Sequence, residues 1–202
     1  MTIYTKAYPA PRVDEKEILR YAGIAKNKTP PDELLRILRE CLAEIEGGLS
    51  FRACYCELPI IREGDVLDLG FIRTESQALK KNLADCDAII LFAVTVGITP
   101  DRLIAKYSRL SPTKALLFQA IGAERVEALC EALCSDLAQQ YKRKGCSLRP
   151  RFSAGFADLP LAVQRDIFNT LSPEKRIGVT LGKNMLMSPT KSVTALIGIS
   201  KT

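Results

Sequence analysis

The sequence predicts an α+β fold with a mostly antiparallel sheet. Strand-like and helix-like segments mix without the regular strand–helix–strand alternation that builds a parallel sheet. The last third is rich in alternating, β-branched stretches, RIGVTL (176–181) and KSVTALIGIS (191–200). No internal repeat, low-complexity tract or linker divides the chain. With 202 residues, 47% hydrophobic and 26% charged, it has the size and composition of one globular domain. Within that domain we expect a helical N-terminal part (1–48) and an α+β core (49–202).

The first helix spans TPPDELLRILRECLAEIEGG (29–48). Prolines and Asp32/Glu33 open it, Leu34, Leu38, Cys41, Leu42 and Ile45 line one face, and Gly47–Gly48 stop it. Strands follow at FRACYCELPI (51–60) and around DVLDLGFI (65–72), then a helix over 74–86 with Thr74 as its cap. DAIILFAVTVG (87–97) is a buried strand, and Thr99, Pro100 and Asp101 open a helix over 98–110. The longest helix covers 111–145, with Ser111 as cap, Pro112 at its first position and Gly145 at its end. Leu116, Ala120, Val126, Cys130, Leu133, Leu137 and Tyr141 form its apolar stripe. Glu127 sits about 100° around from Val126, at the stripe's edge, on a face shared with Glu131 and Cys134. A short amphipathic helix (160–171) precedes the closing strands 176–181 and 191–200, which GKNMLMSPT (182–190) bridges.

The chain lacks histidine, which excludes Ser–His and Cys–His dyads, imidazole bases and histidine-ligated metals. Its seven cysteines have neither zinc-finger nor disulfide-framework spacing and read as reduced, buried, small hydrophobes, with no metal expected. The N-terminus carries no signal-peptide pattern, and the most apolar run (88–98) is far shorter than the roughly 20 residues of a membrane span. A soluble, cytoplasmic protein is expected. Net charge of +6 suits acidic partners, but the basic run at 141–151 lacks interleaved aromatics, so nucleic acid is not expected.

RFSAGFADLP (151–160), followed by EKRIGVTLGKNMLMSPTKSVTALIGIS (174–200), resembles the activation domain of cobalamin-dependent methionine synthases. The resemblance rests on an Arg-x-(Ala/Ser)-x-Gly-(Tyr/Phe) segment, an Ile-Gly-x-x-Leu strand, a methionine-containing turn with proline and a Ser-Val-(Ser/Thr) strand. It covers about the last 100 residues well. LFAVTVG (91–97) and DRLIAKYS (101–108) look like small stand-alone members.

The resemblance implies a domain that binds S-adenosylmethionine and presents its methyl group to oxidised cobalamin on another module, as a reductant, usually a flavodoxin, delivers an electron. Carried onto this chain, Arg151 clamps the methionyl carboxylate, and Ser153 and Gly155 lend backbone to the adenosine end. Phe156 replaces a tyrosine beside it, Ala154 stands where proline is common, and Glu127 takes the place of a ligand-site glutamate, given a one-residue shift. The residue types suit these roles. A guanidinium pairs a carboxylate bidentately, glycine admits close approach, and an aromatic face attracts a sulfonium.

The resemblance implies at most a component of methionine synthase activity, acting in trans on a corrinoid protein or split synthase, since no complete active site is present. Two other readings stay open. The chain could keep the fold without the ligand and dock a corrinoid protein, or act on another small acid with Glu127 as base.

Overall fold

The computed structural model describes residues 1–25 and 27–201. Its main sheet has five antiparallel strands in the order β1-β2-β6-β10-β7. These are β1 (Ile3–Ala7), β2 (Arg52–Pro59), β6 (Cys86–Thr95), β7 (Cys146–Leu148) and β10 (Ser192–Lys201). The central strands β6 and β10 pair over most of their length, with Ala93 opposite Thr194 and Leu91 opposite Leu196. Side chains alternate across a strand, and here both faces are covered. Ile90, Phe92 and Val94 face one helical layer, whereas Ile89, Leu91 and Ala93 face a second. That is why β6 reads as an unbroken apolar run. The polar groups at its end satisfy one another, with Ser192 Oγ donating to Thr95 Oγ1 at 2.9 Å.

One helix organises the rest. α5 (Pro112–Lys142) starts at Ser111, whose hydroxyl accepts from Lys114 N at 3.4 Å, with Pro112 at its first position. Its C-terminal half packs Val126, Leu129, Cys130, Leu133 and Leu137 on the sheet. Its N-terminal half packs Leu117, Phe118 and Ile121 against α1 (Glu15–Tyr21), α2 (Asp32–Ile45) and α4 (Thr99–Leu110). A stripe on one face cannot serve both layers, so the helix is buried nearly all round in its middle. Leu116, assigned to the stripe from periodicity, is instead 50% exposed.

The opposite face of the sheet is covered by α3 (Gln77–Asn82), α6 (Gln164–Leu171), α7 (Pro173–Ile177) and a small sheet of β3 (Ile61–Glu63), β4 (Val66–Asp68) and β5 (Arg73–Thr74).

Several elements differ from expectation. Residues 1–48 begin with strand β1, paired to β2 with Ile3 opposite Cys56, so this part of the chain is not wholly helical. The strand expected at 65–72 stops at Asp68, because Gly70 turns at φ 74° and its amide is held by Asp68 Oδ1 at 2.9 Å. Ser76, not Thr74, caps α3 by accepting from Leu79 N. Thr99 does not cap α4, since its hydroxyl donates to the Gly48 carbonyl at 2.6 Å. The strand expected at 176–181 is mostly helix. Pro173 starts α7, Gly178 ends it in the left-handed region, and only β8 (Thr180–Leu181) extends, pairing with β9 (Met187–Ser188).

Candidate functional site

The segment that carries Arg151 runs along the free edge of β10. Leu148 lies opposite Ile199, Arg149 N donates to Gly198 O at 2.9 Å, and Phe152 exchanges two 2.9 Å hydrogen bonds with Leu196. Phe152 is buried in the layer under α6. Because neighbours on an extended chain point to opposite faces, Arg151 turns to the other side, where α5 lies.

There Arg151 Nη2 donates to Glu127 Oε2 at 2.8 Å. Glu127 and Cys130 lie three residues apart on α5, with Cys134 one turn further on the same flank, so one guanidinium meets all three. Burial opposes the Arg151 charge, but the Glu127 hydrogen bond and the nearby Cys130 and Cys134 sulfurs support it, and its pKa is raised. Burial likewise raises the pKa of both thiols, so they stay protonated. All seven cysteines are free, and Cys41, Cys54, Cys56, Cys86 and Cys130 are buried; desolvation pushes Cys54 up to about 12.

Glu127 also forms part of the wall of a cleft of about 910 Å³. Its floor comes from α5 through Glu124, Glu127, Ala128 and Glu131. The opposite wall is the strap 12–14 with Glu15, Lys16, Glu17, Arg20 and Tyr21 of α1. Among the described residues six carboxylates and three basic side chains line it, and Arg125 and Arg151 pair with two of those carboxylates from behind. A chain of net charge +6 thus holds a cleft with a slight excess of negative charge. Such a cavity favours a ligand carrying positive charge.

Ser153, Gly155 and Phe156 sit in a tight turn beside Arg151, and none of the four is in the wall of that cleft, which Arg151 reaches only through Glu127. Phe156 N donates to Ser153 O at 3.2 Å and Gly155 N to Leu159 O at 2.9 Å. Gly155 adopts φ 83°, which favours glycine, and an added methyl there would also meet Leu161 Cδ1 at 3.2 Å, so that side chain would have to shift. The Ser153 amide and the Gly155 carbonyl have no partner among the described residues. Phe156 packs edge-on against Phe152 with ring centroids 5.3 Å apart and is itself 63% exposed. Asp158 fixes the turn in place by accepting from Gln77 N at 2.6 Å, at the start of α3.

The structure therefore brings Arg151 and Glu127 together and holds Ser153, Gly155 and Phe156 in an adjacent turn. Sequence reasoning missed the far wall at 12–21. Its signal was Asp14 three residues before Glu17, an N-cap pattern: Asp14 Oδ1 accepts from Lys16 N at 2.9 Å and Glu17 N at 3.2 Å.

Comparison with known proteins gives two findings. Residues 76–202 match the family model described as vitamin B12 dependent methionine synthase, activation domain. A solved MetH reactivation domain bound to AdoHcy superposes with TM-score 0.72 at 17% identity, covering 98% of this chain and 78% of that one. No curated protein matches the chain. The α+β architecture is that of the solved domain. The matched segment carries α3 through β10, with both Glu127 and Arg151, and the chain belongs to the vitamin B12-dependent methionine synthase activation domain family.

Proposed function

We propose that this chain binds S-adenosylmethionine and serves as the reactivation module of a cobalamin-dependent methionine synthase or related corrinoid methyltransferase system, acting in trans. The observation that carries this reading is the Arg151–Glu127 pair at 2.8 Å, which ties the arginine of the Arg-x-x-x-Gly-Phe segment to a carboxylate in the wall of the cleft. The family membership and the AdoHcy-bound relative support the ligand class.

The pairing does not use up the guanidinium. Arginine has five N–H donors, and Glu127 takes Nη2. The other donors, which face the Cys130 thiol, turn to the ligand's carboxylate when it binds, while Glu127 turns a lone pair to its ammonium or ribose hydroxyls. The unpartnered Ser153 amide and Gly155 carbonyl suit the adenosine end, and the exposed face of Phe156 suits a purine or the sulfonium. The ligand supplies the methyl group, whereas the chain's part is orientation and charge. Cobalamin belongs on a corrinoid partner, with flavodoxin as a candidate electron donor, in the cytoplasm.

Calorimetric titration with S-adenosylmethionine tests the reading. Saturable one-to-one binding that Arg151→Ala removes supports it. No binding by the folded wild-type chain, with capture of a corrinoid protein retained, favours docking without the ligand. Turnover of a small acid by the isolated chain favours the enzyme reading.

A further inference from the structure

The far wall of the cleft is an irregular strap, and one buried ion pair holds it. Residues 8–14 form no helix or strand, and Pro9 and Pro11 lack amide donors. Arg125, on α5, donates through Nη1 to the Pro11 carbonyl at 2.6 Å and through Nη2 to the Arg12 carbonyl at 2.8 Å. Glu124 pairs with the same guanidinium and accepts from Asp14 N at 3.0 Å. Their side chains are only 3% and 5% exposed. Among the described residues, the backbone of 9–13 has no other hydrogen bond.

Two charges removed from water are poor stabilisers in themselves, and an apolar pair of like volume often does as well. What the pair supplies here is position. It fixes three points, at residues 11, 12 and 14, of a strap that has no secondary structure to fix it. Arg12 and Asp14 thereby stand across the cleft from Glu127. We infer that Glu124 and Arg125 are positioning residues for the ligand cleft. They set ligand affinity through the placement of residues 11–14: Arg125 lies behind the cleft wall, and Glu124, though it reaches the floor, is engaged by Arg125 and the Asp14 amide.

This inference rests on the reading of the cleft given above, and the experiment separates the two. Arg125→Lys keeps the charge and loses the planar two-carbonyl grip. Glu124→Gln combined with Arg125→Met replaces the pair by neutral groups of similar volume, a change that buried ion pairs often tolerate, and the thermal midpoint reports whether the fold is kept. Each protein is measured for thermal midpoint, for hydrogen exchange in peptides covering residues 8–21, and for S-adenosylmethionine affinity. Both variants should keep β6 and β10 protected and exchange faster at 8–21. They should bind S-adenosylmethionine about tenfold to a hundredfold more weakly, the loss that misplaced site residues cause. Unchanged exchange at 8–21 in the folded double variant overturns the inference, as does a loosened strap with unchanged affinity. Should wild type itself fail to bind the ligand, the reading of the cleft falls, and the exchange data still decide whether the pair holds the strap.

Discussion

Asp158 and Ser76, 82 residues apart in sequence, are joined by a hydrogen bond from the Ser76 hydroxyl to the Asp158 carboxylate. The same carboxylate accepts from Gln77 N at 2.6 Å and from Ala78 N. The turn that follows Arg151 thus completes the N-terminus of α3, where free amides and the helix dipole favour a negative charge.

A pH dependence follows. The Ser76 hydrogen bond, with the Gln77 and Ala78 amides behind it, holds the Asp158 pKa below the ordinary carboxylate range. A pKa depressed by folding adds stability that is fully present above the unfolded value of about 3.9 and is lost as pH falls through the folded value. Asp158→Asn should therefore lower the melting temperature by a few degrees at pH 7, and the gap from wild type should shrink as pH drops below about 4. Thermal scans across that range check it.

Gly198 lies at the centre of β10, where a Cβ would come within 2.5 Å of Cys86 Sγ and 2.7 Å of Leu83 Cδ2. Gly198→Ala should cost about 1–3 kcal/mol, the usual penalty of overpacking a filled core. It should also disturb the edge strand that carries Arg151, since Arg149 N bonds to the Gly198 carbonyl. Urea unfolding gives the energy, and titration with S-adenosylmethionine gives the effect on the site.

The acidic lining of the cleft predicts a difference between two nucleotides. S-adenosylmethionine carries a sulfonium charge that S-adenosylhomocysteine lacks. Raising salt from about 10 mM to 1 M shortens the screening length from ~30 to ~3 Å. The affinity for S-adenosylmethionine should fall severalfold over that range, and the affinity for S-adenosylhomocysteine should fall much less. Competition titrations at the two salt concentrations decide it.

Much of this architecture was legible in the sequence. The Leu34–Ile45 periodicity marks α2, Ser111–Pro112 marks the start of α5, and the apolar run at 87–97 marks β6. Strand β1 escaped because it is a five-residue edge strand with Ile3 and Lys6 only half-buried, so its alternation is faint. Helix α7 was hidden by the β-branched Val179–Thr180 pair, although Pro173 and Gly178 carry start and stop signals. At the site, the arginine beside a glycine-thinned segment marks Arg151 and the edge of the α5 stripe marks Glu127, while the family resemblance supplies their roles. The alternation of Arg151 with the buried Phe152 is the physical reason that they meet. In the strap 11–14 only Asp14 leaves a trace, as the cap of α1. Side chains from α5 bonding to backbone carbonyls leave no periodic pattern in the segment they hold.

A structure of the chain with S-adenosylmethionine is the most direct measurement. The ligand should lie in the cleft between α5 and the strap, its carboxylate on Arg151 and its cationic end toward Glu127. An empty cleft at saturating nucleotide, with Arg151 still engaged only by Glu127, would contradict the assignment.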